Sequence, residues 1–170
     1  GRVLEWNRAC EPVRMLGTHT DISRRKRNEA EIAHTNRLYA TLSESNQAIV
    51  RCSNREELFE RICRIAVRYG GFRLAWIGIP DPRGWLQVVA ASGHTDYLQD
   101  LRVSIDPDRN EGRGPSGCAF REGRHQINND FTGSMSTRPW HQQAEQVGFG
   151  ASAAFPLFDG GEVFGVFNIY

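Results

Sequence analysis

One stretch organises the rest of the chain: residues 112–131, GRGPSGCAFREGRHQINNDF. Gly112 and Gly114 loosen the backbone, and Pro115 fixes φ at a value suited to the first turn of a helix. Gly123 is placed to end that helix about two turns later. The open amides from Pro115 to Gly117, with Arg113 beside them, would suit a carboxylate or phosphate. The stretch therefore predicts a short helix whose start can bind an anion; the alternative is that its glycines only turn a corner.

Length and charge exclude several classes of protein. The chain has 170 residues and a formal net charge of +1, which fits one domain with an attached piece. So small a charge gives no broad field for nucleic acid or a membrane surface, and the one cationic run, residues 24–27, suits a solvated helix face. No apolar stretch is long enough to span a membrane, and no signal peptide opens the sequence. Both ends fall within strand-like sequence, so we expect a fragment of a longer protein.

The cysteines and histidines indicate no metal centre or catalytic set. Cys10, Cys52, Cys63 and Cys118 are far apart, without C-x-x-C or metal-ligand spacing. This favours reduced thiols in a cytoplasmic protein and argues against structural zinc. The five histidines are scattered, and no Ser/His/Asp order, paired carboxylates or phosphate-binding loop stands out.

The first 25 residues resemble the end of a PAS sensor domain. Residues 2–6 and 12–20 alternate as strands do, but two strands cannot form a stable core. The sequence Asp21-Ile22-Ser23 is similar to the signature that couples a PAS core to its exiting helix. We therefore expect residues 1–25 to be a C-terminal PAS remnant, whose own ligand pocket would lie upstream.

Residues 26–50 favour a continuous linker helix, because no Gly or Pro interrupts them. Steps of three and four give an a/d seam of Ile32, Thr35, Tyr39, Leu42, Asn46 and Ile49. Asn46 at an a-type position would set the register of a parallel homodimer. The alternative is that the seam packs on the adjacent domain, as any amphipathic helix does.

A second helix begins at a capping box, either Ser53 with Glu56 or Asn54 with Glu57, and ends at residues 70–71. Its wide apolar face includes Cys63, which we interpret as a buried small hydrophobe. The later elements are predicted as strands at 72–79, 85–92, 126–129, 151–157 and 163–170, with helices near 96–101 and 139–147.

These pieces resemble a GAF domain of the bacterial sensor type over residues 38–170. The matching segments are 72–78 (FRLAWIG), 112–119 (GRGPSGCA), 127–131 (INNDF), 139–140 (PW), 152–157 (SAAFPL) and 161–170 (GEVFGVFNIY). The resemblance implies an α+β fold at residues 51–170, an antiparallel sheet with helices on both sides, and a last helix beyond Tyr170. A PAS end joined to a GAF domain by a helix is the layout of sensor histidine kinases and diguanylate cyclases.

The resemblance also implies a ligand pocket between the sheet and the short helix and loops over one face. Its wall would come from Trp76, Phe120, Asn129, Asp130, Phe131, Trp140, Ala154 and Phe155, and its helix start from Arg113, Pro115, Ser116, Gly117 and Cys118. Each aromatic residue could equally be ordinary core. Asp130 could cap the loop rather than touch a ligand.

Three ligand classes known for GAF folds can be compared with the residues. A covalent bilin needs a Cys-His pair, which none of the four cysteines forms. The cyclic-nucleotide signature Asn-Lys…Asp-Glu is met only by Asn128-Asn129-Asp130, without the Lys and Glu. A free methionine sulfoxide reductase needs a reactive cysteine and a resolving partner, and only Cys118 is expected near the cleft.

The sequence therefore predicts a non-catalytic sensory module that binds an unidentified small molecule and acts through flanking helices on an effector outside the fragment. A cofactor cannot be named from the residues. A structural dimerisation spacer with an empty pocket is the alternative, and a thiol enzyme of the reductase type is a third possibility.

Overall fold

The computed structural model describes residues 2–16 and 21–170. By its backbone contacts the chain divides into two units, Gly1–Asn36 and Arg37–Tyr170. In the first unit, strands β1 and β2 pair antiparallel, which fits the two strands expected there. Their bounds are Arg2–Trp6 and Pro12–Leu16. The rest of the predicted second strand, residues 17–20, lies outside the described residues.

Helix α1, Ser23–Arg51, starts in the first unit and continues into the second. The Asp21 carboxylate accepts the Ser23 backbone N–H at 2.8 Å at its start, and this hydrogen bond lowers the pKa of Asp21. Within the second unit the helix buries Ala48 but leaves the a/d seam exposed. The apolar residues of the seam that lie in the second unit, Tyr39, Leu42 and Ile49, therefore do not pack on the rest of that unit.

Helix α2, Arg55–Arg68, forms the second of the two predicted caps. The Asn54 side chain accepts the Glu57 backbone N–H at 2.8 Å, while the Glu57 carboxylate reaches back to the Ser53 N–H at 3.3 Å. The buried face of α2 includes Cys63, as predicted, together with Phe59, Ile65 and Ala66.

Five strands form one antiparallel sheet in the order β4-β3-β7-β6-β5. Their bounds are β3 Leu74–Pro80, β4 Leu86–Gly93, β5 Gln126–Asn128, β6 Ser152–Asp159 and β7 Glu162–Ile169. Helix α2 packs on β3 and β4, while helix α3, Pro115–Glu122, packs on β5, β6 and β7. The mixed helix and antiparallel-sheet fold is confirmed.

The register of the sheet decides which side chains meet. Trp76, Asn168 and Ala154 are partners across three neighbouring strands. The next row is Ile77, Phe167 and Phe155. Because successive side chains on a strand point to opposite faces, the first row faces α3 and the second faces α2. We call these the α3 face and the α2 face.

The connections differ from the sequence prediction in two places. The helix expected near residues 96–101 is a single 3₁₀ turn, Thr95–Leu98. The helix expected from residue 139 is a 3₁₀ segment, Met135–Trp140, followed by α4, His141–Val147. Both are short and sit over the α3 face, where packing rather than propensity fixes their ends. None of the described helices combines the length and apolarity needed to cross a membrane.

Candidate functional site

A small cavity lies where the start of α3 meets the sheet. Its walls come from the α3 start, from strands β6 and β7 with the residue after β7, and from three connecting segments. The lining residues are Val103, Pro115, Ser116, Phe131, Trp140, Ser152, Ala153, Ala154, Asn168 and Tyr170. The cavity has a volume of about 10 Å³, which is room for roughly one water molecule. A larger molecule would have to displace part of the wall.

Five of the residues expected in a pocket line this cavity: Pro115, Ser116, Phe131, Trp140 and Ala154. Trp76 does not reach the lining, but it is fully buried in the same cluster on the α3 face. The α3 helix itself runs from Pro115 to Glu122 and ends at Gly123, whose φ of 62° is left-handed. The short helix that the sequence predicted is therefore confirmed.

Polar side chains converge on the cavity from the helix and from two strands. The Ser116 hydroxyl donates to the Asn168 side-chain oxygen at 2.7 Å. The Asn168 amide nitrogen donates only weakly, to the Val166 carbonyl at 3.4 Å. Ser152 is 8% exposed, and its hydroxyl has no hydrogen-bond partner. A buried hydroxyl without a partner costs about 1–3 kcal/mol, so its retention needs an explanation.

A second group of polar atoms is buried beside Tyr170. The Trp76 indole N–H and the Tyr97 hydroxyl lie close to the Tyr170 hydroxyl but lack the geometry of a full hydrogen bond. Burial raises the pKa of Tyr170 to about 12, while polar contacts with Trp76 and Tyr97 act in the opposite direction. Burial also raises the pKa of Tyr97. Both tyrosines therefore remain protonated at neutral pH and can donate hydrogen bonds.

Aromatic rings hold this group in place. The Tyr170 ring stacks on Phe149 with centroids 4.9 Å apart, and it meets Phe131 edge-on at 5.5 Å. On the other side of the cavity, the Trp140 indole N–H donates to the Arg102 carbonyl at 3.0 Å. The aromatic walls are thus fixed by their own contacts.

The glycines around the α3 start are explained by close packing. A Cβ on Gly114 would lie 2.5 Å from the Trp140 indole, and one on Gly117 would lie 2.3 Å from the Gly112 carbonyl oxygen. A Cβ on Gly112 itself would lie 1.8 Å from the Asp106 carbonyl oxygen. The φ angles of these three glycines are not in the left-handed region. They are needed for the space that a side chain would occupy rather than for backbone freedom.

Several expected residues lie on the surface instead. Arg113 is exposed and donates from Nε to the Pro107 carbonyl at 2.9 Å. Arg113, Cys118, Asn129 and Asp130 line a separate open groove. The Asp130 carboxylate accepts the Gly133 N–H at 3.0 Å, which is the loop-capping role considered as the alternative.

Two expected aromatic residues are placed away from the cavity lining. Phe120 is half-buried against the cluster on the α3 face. Phe155 packs on the α2 face, with its ring 6.4 Å from that of Phe167. The neighbour of Phe155, Ala154, faces α3, so strand alternation directs Phe155 away from the cavity. The sequence prediction placed Ala154 and Phe155 in the same wall because it was made without the register of the sheet.

Sequence reasoning missed Ser152, Asn168 and Tyr170, which supply much of the polar lining. The available signal was a polar residue at an inward position of an apolar strand. It also missed Arg121, whose Nη1 donates to the carbonyls of Ile105 at 2.9 Å and Gly112 at 2.7 Å. Arg121 thereby ties the preceding loop to α3.

Charge and metal-binding groups are absent from this site. Within residues 2–16 and 21–170, the cavity lining contains no Asp, Glu, Lys, Arg or His. The same ranges contain no group of three or more His, Cys, Asp or Glu side chains that could hold a metal ion. The four cysteines are free thiols. The arrangement can therefore bind a small molecule through neutral hydrogen bonds and aromatic contacts.

Comparison with known proteins gives one family. The model described as "GAF domain" matches residues 52–170. No curated protein sequence matches the chain.

Solved structures with the same fold are distant in sequence. The GAF domain of NlH2 from A. aeolicus has a TM-score of 0.59 and 20% identity, covering 82% of this chain and 79% of that one. The free methionine-R-sulfoxide reductase of Neisseria meningitidis, in complex with its substrate, has a TM-score of 0.60 and 17% identity, with coverages of 78% and 71%. The NreA protein of Staphylococcus aureus, mutated in its nitrate binding site, has a TM-score of 0.53 and 16% identity, with coverages of 68% and 85%. These similarities support the fold alone.

Proposed function

Because this chain belongs to the GAF domain family, we propose that it is a sensory module that binds a small molecule in the cavity at the α3 start. The module acts through its flanking helices on an effector of a bacterial multidomain signalling protein. In this proposal residues 1–25 are the end of a PAS domain, 26–50 are the linker and 51–170 are the sensor.

One observation carries the proposal: the buried polar groups on the α3 face are not satisfied by the protein itself. The Ser152 hydroxyl in the cavity wall has no hydrogen-bond partner, and the Asn168 amide nitrogen makes only one long contact of 3.4 Å. Each such atom lowers the stability of the fold, since its hydrogen bonds to water are lost and not replaced. A ligand, or a water that a ligand displaces, would restore those bonds. The apolar cluster on the α2 face contains no buried polar side chain among the described residues.

We expect the effect of a bound ligand to pass from α3 to the sheet through the hydrogen bond between Ser116 and Asn168. It links the first turn of α3 to β7, which lies at the centre of the sheet. A ligand beside Ser116 competes for or reinforces that bond, so it favours one position of α3 against the sheet. A ligand shifts a conformational equilibrium only through such a difference in affinity.

Two of the similar structures are described with a small molecule, a nitrate binding site in NreA and a bound substrate in the reductase. A cavity of about 10 Å³ would have to widen even for the smaller of these two ligands, nitrate. The reductase chemistry itself is not favoured here. Cys118 is on α3, whereas Cys63 is in the cluster on the opposite face of the sheet, so the sheet separates the two thiols.

Native mass spectrometry of freshly purified protein tests the proposal. We expect a bound small molecule above the 19.2 kDa chain mass. Ala154→Leu should abolish it, because the larger side chain fills the cavity. Ala90→Leu is the matched control, since Ala90 is also buried but lies in the cluster on the α2 face. A bare chain mass in the wild type, or binding that survives Ala154→Leu, would contradict the proposal.

A second candidate function, dimerisation through α1, is favoured by the exposed seam. Tyr39, Leu42 and Ile49 are each more than half exposed. Apolar side chains at a/d spacing are stabilised when a second helix covers them. If the cavity is empty in solution, the module is a dimerisation spacer.

Sedimentation of the Leu42→Asp variant tests the dimer. We expect a wild-type dimer and a monomeric variant, because a charge at a d position is desolvated in a helix pair. Asn36→Asp adds the same charge beside the seam and should remain dimeric. A wild-type monomer at high concentration would exclude this function.

A further inference from the structure

The residues that line the cavity at the α3 start favour one chemical class of ligand. On the helix side, Pro115 and Ser116 line the cavity. The Ser116 backbone amide precedes the first intrahelical bond, which runs from the Cys118 N–H to the Gly114 carbonyl at 3.0 Å. The first amides of a helix have no partner within it, and they carry the positive end of its dipole. A helix start alone does not make a binding site.

The independent observation is Ser152. It stands on β6, across the cavity from α3, and more than nine-tenths of it is buried. Its hydroxyl has no hydrogen-bond partner in the protein. The cavity is therefore bounded by an unused hydroxyl on one side and by a helix start on the other.

The remaining polar groups of the cavity are mainly donors. The Asn168 oxygen accepts from the Ser116 hydroxyl, and the Asn168 amide nitrogen has one long contact, 3.4 Å to the Val166 carbonyl. The Tyr170 hydroxyl keeps its proton at neutral pH, because burial raises its pKa to about 12. A molecule that only accepts hydrogen bonds satisfies this set best.

The charge and the size of the cavity restrict the class of ligand further. No ionisable side chain lines the cavity within the described residues except the neutral Tyr170. A cation is disfavoured because it would meet hydrogen-bond donors and the positive end of a helix. A dianion is disfavoured because two charges would be buried without a countercharge. The cavity has about 10 Å³, so the ligand is compact.

We propose that the cavity between Ser116, Ser152 and Asn168 takes a compact monovalent oxoanion or carboxylate whose charge is delocalised. This inference rests on the proposed function, and it specifies the ligand class of the same site. Pro115 and Trp140 lie in its wall. Binding of the anion therefore moves the α3 start and the 3₁₀ segment Met135–Trp140 apart. This displacement is the conformational change on which the proposed signalling depends.

Formate is the probe, and formamide is its neutral counterpart of the same size. In a titration followed by ¹H–¹⁵N NMR at constant ionic strength, formate should shift the Ser116 and Gly117 amides to saturation. Formamide should bind about tenfold more weakly or worse, and so should the dianion sulfate.

Ser152→Ala should weaken formate binding by about tenfold, since it removes one charge-assisted hydrogen bond. Ser43→Ala, at an exposed serine of α1, is the matched control and should leave the affinity unchanged. Equal shifts with formamide, tighter binding of sulfate, or an unchanged affinity in Ser152→Ala would overturn the assignment.

The two proposals fail in different ways. If native mass spectrometry finds a cation or a neutral molecule whose binding is lost in Ala154→Leu, the oxoanion class is wrong and the sensory site stands. If nothing binds in either experiment, both proposals fail.

Discussion

The two faces of the sheet are built from alternate residues of the same strands, yet they differ in chemistry. On the α2 face, Ile77, Phe155 and Phe167 meet α2 through apolar contacts. On the α3 face, their neighbours are Trp76, Ala154 and Asn168, of which Trp76 and Asn168 bring polar atoms into the core. The buried Ser152 hydroxyl on the same face has no hydrogen-bond partner. Since the backbone of the strands is shared, the difference lies in the side chains alone. We propose that the α2 face serves stability, whereas the α3 face gives up some stability for a ligand site.

The largest expected contrast between the faces is in thiol reactivity. Burial raises the pKa of Cys63 on the α2 face to about 12, while Cys118 on α3 is half-exposed. Only a thiolate reacts, so at pH 8 Cys63 should be modified only when the protein opens. We expect Cys118 to react with a soluble disulfide reagent about a thousandfold faster or more.

The raised pKa of Cys63 also predicts that the stability of the protein depends on pH. Above about pH 9, the ordinary thiol value, Cys63 ionises in the unfolded chain but not in the folded one. Stability from this group is therefore fully present below pH 9 and falls as the pH rises towards 12. Cys63→Ala should flatten that fall in urea titrations at pH 8 and pH 10. A thiol at residue 63 that reacts as fast as Cys118 would break the comparison.

The next effect is on stability without an effect on binding. Ile77→Ala removes a buried side chain from the α2 face and should lower the free energy of unfolding by about 2–5 kcal/mol. Urea denaturation measures the loss. Formate binding by the folded fraction should remain as in the wild type, because the cavity lies on the other face. A parallel loss of affinity would show that the two faces are not separable.

A smaller stability effect is expected on the α3 face. Asn168→Ala leaves the Ser116 hydroxyl without its acceptor and should cost about 1–3 kcal/mol of unfolding free energy. In a double-mutant cycle with Ser116→Ala, the second substitution should cost much less than it does alone. Additive costs would mean that the hydrogen bond does not link α3 to β7.

Much of this fold could be predicted from the sequence because its signals are local. Pro115 and Gly123 mark the ends of α3, and Asn54 with Glu57 marks the start of α2. The cavity wall was only partly predictable, because it depends on the sheet register. Whether Ala154 or Phe155 faces α3 is fixed by which residues pair across β6 and β7, and that is not written in either strand alone.

The unpaired groups were the least predictable part of the site. Ser152 and Asn168 read as ordinary polar residues in strands, and only their burial beside Ser116 gives them a role. The glycines misled in the opposite direction. Gly112 and Gly114 suggested a loosened backbone, whereas a Cβ on Gly112 would lie 1.8 Å from the Asp106 carbonyl oxygen and one on Gly114 would lie 2.5 Å from the Trp140 indole.

We propose that the polar atoms of the α3 face are kept for a ligand, and a crystal structure of the freshly purified protein tests this most directly. We expect electron density between Ser116 and Ser152 for a molecule larger than water, with an atom about 2.6–3.2 Å from the Ser152 hydroxyl. A cavity closed by side chains, with the Ser152 hydroxyl bonded to a protein group, would contradict it.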